Sequence, residues 1–370
     1  MEVDVQMKIL ISVNHPAHVH LFKNAIWTLQ DHNHDILVCA RRKEVTIDLL
    51  EKYDINYTFV SEIKPSRIYL IREQIQRMIR FREILGRFEP DLSISTMDPS
   101  LAIISRLMGI SYICLADTEH ANVTTYGALP FTQAVLTPSC FRKKIGPKQI
   151  RYNGYHEIAY LHPHYFTPNP TVLDEIGLTE GDPFIIVRFV SWEASHDVGQ
   201  HGIRDKFGLV KALEQYGRVL ITSEGALPPE LQSYQIRVSP EKMHDLLYYA
   251  TLYVGEGGTM ASEAAVLGTP SIYVSSLAGT MGNFIELEET YDLLYSFTEG
   301  DAALSKAIEI LQDHESKEKW RPKRERLLLD KIDVTAFMVW FVENYPRSFR
   351  EMKEHPKMQY SCASLPGDAS

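Results

Sequence analysis

A chain of 370 residues exceeds what one hydrophobic core usually serves, so two domains of about 150 residues each are expected, and a 45% hydrophobic content fills both cores. The formal net charge of −10 argues against a protein whose main task is to cover nucleic-acid phosphates. No run approaches the roughly 18 to 20 apolar residues of a membrane span, and the opening MEVDVQMKILISV enters a strand without a signal peptide's basic and apolar regions. A soluble, cytoplasmic protein is expected. Cys39, Cys114, Cys140 and Cys362 show no CxxC spacing, which indicates neither a disulfide framework nor a zinc site.

In chain order, KILISV (8–13) reads as a buried strand, VHLFKNAIWTLQ (19–30) as a helix, DILVCA (35–40) as a strand, EVTIDLLEKY (44–53) as a helix and YTFV (57–60) as a strand. The next segment runs against the acidic balance. KPSRIYLIREQIQRMIRFREILGR (64–87) carries Arg67, Arg72, Arg77, Arg80, Arg82 and Arg87 against Glu73 and Glu83, while Ile68, Ile71, Ile75, Met78, Ile79 and Leu85 recur at helical spacing. This predicts an amphipathic helix packed on a sheet, with a basic outer face; its functional reading is peripheral docking to an anionic membrane surface or a lipid-linked acceptor. DLSIS (91–95), SYICLA (111–116) and QAVLT (133–137) are further strands, with the helix SLAIISRLMG closed by Gly109.

The segment 162–183, with four prolines, is the expected interdomain connection. The alternation then restarts with strands FIIVRFV (184–190), RVLIT (218–222) and LYVG, and with helices KFGLVKALEQY and EKMHDLLYYA between them. After Ala302 the pattern is helical. Strands alternating with helices and rich in β-branched residues imply an α/β fold with parallel sheets, hence two Rossmann-like, doubly wound domains. The expected division is 1–161 and 184–330, with a helix at 331–345 that returns to the first domain and a loose tail at 346–370.

The stretch YVGEGGTMASEAAVLGTPSIYV (253–274) stops a strand on glycines and opens a helix. In doubly wound sheets ligands sit beyond the carboxyl ends of the strands, and such a turn lets backbone N–H groups approach a phosphate. Gly257, Gly258 and Thr259 are candidates to hold a diphosphate, with Thr259 capping the helix, and Glu263 stands where a carboxylate can accept bonds from ribose hydroxyls. Neither GxxxxGK[ST] nor GxGxxG is present, which leaves a Walker NTPase and a dinucleotide dehydrogenase without support. The first loop, VNHPAHVH, offers His15 and His18 as base or substrate contacts, with His20 structural. After the strand at 184–190, RFVSWEASHDVGQHG supplies Arg188, Trp192, His196, Asp197 and His201; this mixture reads as a binding loop for a diphosphate and a base or sugar.

SEAAVLGTPSIYV resembles the nucleotide-sugar site of GT-B glycosyltransferases, a class that includes the undecaprenyl-disaccharide-forming transferase of peptidoglycan synthesis and shares its arrangement with the non-hydrolysing UDP-N-acetylglucosamine 2-epimerases. That resemblance implies two domains facing across a cleft, with Glu263 on the ribose. It also makes Asp98 and Asp117, at strand ends, acid/base candidates, although Asp98 before Pro99 first reads as a helix cap. The epimerases' His-Arg-Arg-Glu-Asn run and Gly-Thr-Arg-Pro-Glu loop are absent. NHPAHVHLFKNAI, NGYHEIAYL, RFVSWEASHDVGQHGI and the glycine stretch together resemble the domain of unknown function 354 family, whose members look like GT-B proteins.

The resemblance implies a glycosyltransferase using a nucleotide-diphospho-sugar, UDP among the expected nucleotides, in polysaccharide or cell-envelope glycan synthesis. The acceptor would be a glycan or a lipid-linked sugar, and no metal or other cofactor is required. A 2-epimerase-like enzyme and a non-catalytic nucleotide-sugar-binding protein are the alternatives.

Overall fold

The structure, a computed structural model, describes residues 6–63, 67–190 and 202–362. It divides into two compact units: residues 1–165 with 331–370, and residues 166–330.

Unit 1 opens with β1 (Lys8–Val13), α1 (Pro16–Asp31), β2 (Asp35–Arg42), α2 (Thr46–Lys52), β3 (Tyr57–Glu62), α3 (Arg67–Phe88) and β4 (Leu92–Thr96). It continues through α4 (Pro99–Leu107), β5 (Ser111–Leu115), α5 (Asn122–Ala128), β6 (Ala134–Pro138), β7 (Gln149–Tyr152) and α6 (Ile158–Leu161). The seven strands form one parallel sheet in the order β3-β2-β1-β4-β5-β6-β7. In β1 every residue after Lys8 is buried, the run expected when helices cover both faces of a parallel sheet. Leu10, Phe81, Leu85, Leu101, Tyr112 and Val135 belong to one core cluster beneath α3 and α4.

Unit 2 contains α7 (Thr171–Glu175), β8 (Phe184–Phe189), α8 (Lys206–Leu213), β9 (Arg218–Ser223), α9 (Met243–Tyr249), β10 (Leu252–Gly255) and α10 (Gly258–Leu267). It then runs through β11 (Ser271–Val274), α11 (Gly282–Glu289), β12 (Leu294–Phe297), α12 (Gly300–Gln312) and α13 (Ser316–Asp330). Its parallel sheet has the order β12-β11-β10-β8-β9. The chain then rejoins unit 1 as α14 (Val334–Glu343), α15 (Arg347–Glu354) and α16 (Gln359–Cys362).

Two expectations are corrected. Residues 347–362 are not loose: Ser348 and Met352 are buried, Lys353 Nζ donates to the Gln149 carbonyl at 2.8 Å, and Gln359 accepts from the Asn153 N–H at 2.6 Å. The segment is polar because it docks on backbone groups at and just beyond the β7 edge. Helix α3 is rotated relative to its apolar pattern, although Met78 and Leu85 of the expected row pack on the core. Glu73 and Arg77 are buried with Phe81, Ile84 and Leu85, whereas Ile71, Ile75 and Ile79 face outward. Ion pairs turn it: Glu73 accepts from Arg41 at 2.8 and 2.6 Å and from Ser61 at 2.8 Å, and Arg77 donates to Asp98 at 2.5 Å.

Candidate functional site

Each sheet has one place where successive connections leave in opposite directions, and ligands of open α/β sheets bind in the crevice this opens at the strands' carboxyl ends. In unit 1 it lies between β1 and β4; in unit 2, between β8 and β10. The candidate residues converge on these two points.

In unit 1, His15 caps α1, its Nδ1 accepting from the Ala17 N–H at 3.2 Å. His18 Nδ1 accepts from the Asn14 N–H at 3.2 Å, which leaves the proton of a neutral ring on Nε2, 3.1 Å from the Thr96 hydroxyl. Burial, and then the neighbouring His15, push the His18 pKa well below the usual histidine value, against the pull of Asp117. His18 is therefore neutral and bonded at both nitrogens, a positioning residue more than a base.

Asp98 caps α4, one oxygen accepting from the Ser100 and Leu101 N–H groups at 3.1 and 3.4 Å. Its other oxygen accepts from Arg77 at 2.5 Å and Asn14 at 3.0 Å. With both oxygens committed and the side chain buried, Asp98 has no lone pair left to move a proton; the capping role is the one observed, and the acid/base role is not supported.

Asp117 has a different environment. Its carboxylate, about one-third exposed, lies 3.0 Å from His156 Nδ1 and accepts from the Thr118 hydroxyl at 2.9 Å. Burial opposes ionisation, but the charge and hydrogen bond of His156 outweigh it and hold the Asp117 pKa far below the usual range. For His156 burial likewise opposes the charge, and Asp117 prevails, raising the imidazole pKa. Among the described residues nothing hydrogen-bonds the buried Nε2 of His156 or the buried Tyr152 hydroxyl. A carboxylate holding one imidazole nitrogen while the other stays unbonded is the arrangement of a general acid/base dyad.

In unit 2, α10 starts at Gly258 with Gly257 as its N-cap, in extended conformation. Thr259 thus lies inside the first turn and makes no cap bond, contrary to expectation. The first-turn N–H groups of Gly258, Thr259 and Met260, which an α-helix leaves without intrahelical acceptors, point out of the helix start at the β8–β10 crevice. Arg188, near the end of β8, donates to Thr222 at 2.7 Å and Glu224 at 2.9 Å. A Cβ on Gly257 would stand 2.9 Å from Arg188 Cγ, so that glycine first of all admits the arginine. Since Glu224 already balances Arg188, the positive helix end is the main anion-attracting element here. Glu263, buried one and a half turns into α10, has Oε1 3.0 Å from Nε2 of His244 on α9. Trp192, His196, Asp197 and His201 lie outside the described residues.

Sequence reasoning missed His156, Arg77, His244 and Glu256. Glu256 accepts from the Val190 N–H at 2.9 Å and the Ile203 N–H at 2.8 Å, so one buried carboxylate clasps both stems of the 191–201 segment. The only available signals were the placing of His156 within NGYHEIAYL and of Glu256 among glycines. Among the described residues one group has metal-ligand composition, His162, His164 and Asp333, with ligand atoms within 4.8 Å of one another. Asp333 caps α14 and pairs with His164 at 3.3 Å, which accounts for the grouping without an ion.

Two parallel-sheet units, each with its switch-point crevice, and a C-terminal helix returned to the first unit define the GT-B architecture. Solved structures agree. The UDP-GlcNAc 2-epimerase of Neisseria meningitidis bound to UDP-GlcNAc is similar at a TM-score of 0.61 and 14% identity, covering 87% of this chain and 98% of that one. SsfS6, a glycosyltransferase of Streptomyces sp. SF2575, is similar at a TM-score of 0.57 and 13% identity, covering 91% and 100%. In sequence, the uncharacterized protein MJ0665 of Methanocaldococcus jannaschii is 22% identical over 304 residues, 76% of this chain and 86% of that protein. Residues 7–342 match the model of a protein family of unknown function, DUF354, and the chain belongs to that family.

Proposed function

We propose that the protein is a glycosyltransferase that takes a nucleotide-diphospho-sugar as donor, with unit 2 holding the donor and unit 1 the acceptor. The observation that carries the reading is the unbonded, buried Nε2 of His156 backed by Asp117 at the carboxyl edge of the unit 1 sheet. The structurally similar Neisseria protein binds UDP-GlcNAc, and the glycine-capped α10 offers the same class of ligand a helix N-terminus for its diphosphate.

In this scheme His156 Nε2 takes the proton of the acceptor hydroxyl while that oxygen bonds to the sugar's anomeric carbon. The bond from this carbon to the diphosphate breaks, and the departing charge falls on the N–H groups of Gly258, Thr259 and Met260. Glu263, released from His244, accepts the ribose hydroxyls. The scheme requires no metal. Epimerisation calls on carboxylates at both strand ends, and the commitment of Asp98 to Arg77, Asn14 and the α4 cap disfavours it.

The test is calorimetric binding of UDP, GDP, ADP and CDP, and then of the matching sugars, to wild type, Glu263→Ala and His156→Asn. One nucleotide is expected to bind selectively, to lose affinity with Glu263→Ala and to keep it with His156→Asn, which stops sugar transfer. Unchanged affinity in Glu263→Ala would remove the donor-site assignment.

A further inference from the structure

Helix α3 buries Glu73 and Arg77 and exposes three of its isoleucines. Ile71, Ile75 and Ile79 are 69%, 55% and 57% exposed, and their spacing of four makes a straight ridge about 12 Å long. Arg72, Arg82 and Arg87 are also exposed, while Arg80 pairs with Glu83 at 3.0 Å. Six arginines against two glutamates give this helix a net +4 in a chain of net −10. Helix α4 packs beside α3, and α5 beside α4; α5 adds Val123 at 89% and Tyr126 at 62% exposure. A Cβ on Gly127 would lie 3.3 Å from Pro99, so the last turn of α5 lies beside the first residue of α4, at the carboxyl edge of the sheet.

We infer that α3 is a membrane-docking face, in which the isoleucine ridge enters the headgroup boundary of a bilayer and the flanking arginines engage anionic lipid headgroups. Charge complementarity selects this occupant. An apolar ridge bordered by exposed arginines on an otherwise acidic protein fits a negatively charged lipid surface and orients the molecule on it. A second copy meeting the ridge across a two-fold axis would set the same arginines against one another, an arrangement like charges disfavour. Across the helix from the ridge, Arg77 bonds Asp98 and Asn14, so the docked face lies about one helix diameter, roughly 10 Å, from the β1–β4 crevice. The inference does not depend on the chemistry proposed above.

The experiment is flotation of the full chain with vesicles of phosphatidylcholine alone and with phosphatidylglycerol at about one part in three, at low and high salt, alongside its mass by light scattering. Wild type is expected to float with the anionic vesicles only, and less at high salt. Replacing Ile71, Ile75 and Ile79 by Gln is expected to reduce partitioning by tenfold or more, and Arg72→Gln or Arg82→Gln by about fivefold each. The altered side chains are exposed, so circular dichroism and thermal unfolding should match wild type. Wild type that floats with neither vesicle, or a triple variant that floats as well as wild type, overturns the inference. So does a wild-type dimer that the triple variant turns into a monomer, which would make the ridge a contact between copies.

Discussion

At the residue scale, the chemistry rests on partners far apart in sequence. Asp117 follows β5 and His156 follows β7, two strands away, and each favours the charged form of the other. The folded state binds the His156 proton more tightly than the unfolded chain, so this pair's contribution to stability is complete below about pH 6.5 and is lost as pH rises through the raised pKa. The lowered Asp117 pKa adds stability that is full above about pH 4 and is lost as pH falls toward it. A base must be unprotonated, so transfer should rise with pH along a limb placed above the usual histidine value. His156→Asn should remove that limb and lower kcat by about a hundredfold to ten-thousandfold with the nucleotide dissociation constant unchanged. A pH profile of kcat/KM for both proteins decides this; a limb that survives in the variant assigns the base elsewhere. Glu256 supplies a second prediction. Glu256→Ala leaves the half-buried Val190 N–H and the buried Ile203 N–H without their carboxylate, at about 1–3 kcal/mol for the buried one, and should speed hydrogen exchange at Ile203 by at least tenfold. None of these pairings has a local signature: His18 and Asp117 stand out because they follow strands, whereas nothing in the sequence marks the imidazole that Asp117 holds.

At the element scale, periodicity disclosed that 67–88 is a helix and misled about which side is inside. An apolar row is normally the buried one, and here two ion pairs override it: Arg41 with Glu73 and Arg77 with Asp98 fix the rotation of α3 on the sheet. Asp98→Asn should accordingly destabilise the protein by about 3 kcal/mol in urea unfolding, because it leaves the Arg77 charge buried without its counter-charge. Adding Arg77→Met should recover part of that loss, whereas a pair near the surface would show little effect either way. The glycine turn shows the same limit of legibility. Gly255, Gly257 and Gly258 were readable as a ligand-approach turn, but a Cβ on Gly255 would meet the Tyr253 hydroxyl at 2.6 Å and Arg188 Cβ at 2.7 Å. Its smallness serves packing against Arg188. The buried strands of both sheets were legible because parallel sheet covered on both faces needs continuous β-branched runs; the edge strands β7 (QIRY) and β12 (LYSF) mix polar residues into their four positions and carry no such run.

At the scale of the whole molecule, the doubled strand-helix alternation announces two parallel sheets; only the expected return of 331–345 to the first domain hints that one unit is continuous in the chain and the other is not. Unit 2 is the unbroken segment 166–330, whereas unit 1 is closed by residues that follow it. In α14, Val334, Phe337, Met338, Phe341 and Val342 are buried, and the helix packs on α1 and α6. Thr335 and Asn24 both donate to the Ala159 carbonyl, at 2.7 and 2.8 Å, and a Cβ on Gly154 would stand 2.4 Å from a Val334 methyl. At roughly 2 kcal/mol for each of five buried apolar side chains, α14 contributes about 10 kcal/mol of burial, comparable with the 5–15 kcal/mol that separates a folded domain from its unfolded chain. Residues 166–330 expressed alone should therefore unfold cooperatively, while 1–165 alone should lack a cooperative transition and be cleaved rapidly by protease. A peptide of residues 331–370 added to 1–165 should restore protection in proportion to its concentration, because its binding energy is then part of the folding energy. If 1–165 were protected without the peptide, the burial of α14 would be dispensable, and the return of the chain to unit 1 would have to be explained by something other than the stability of its sheet.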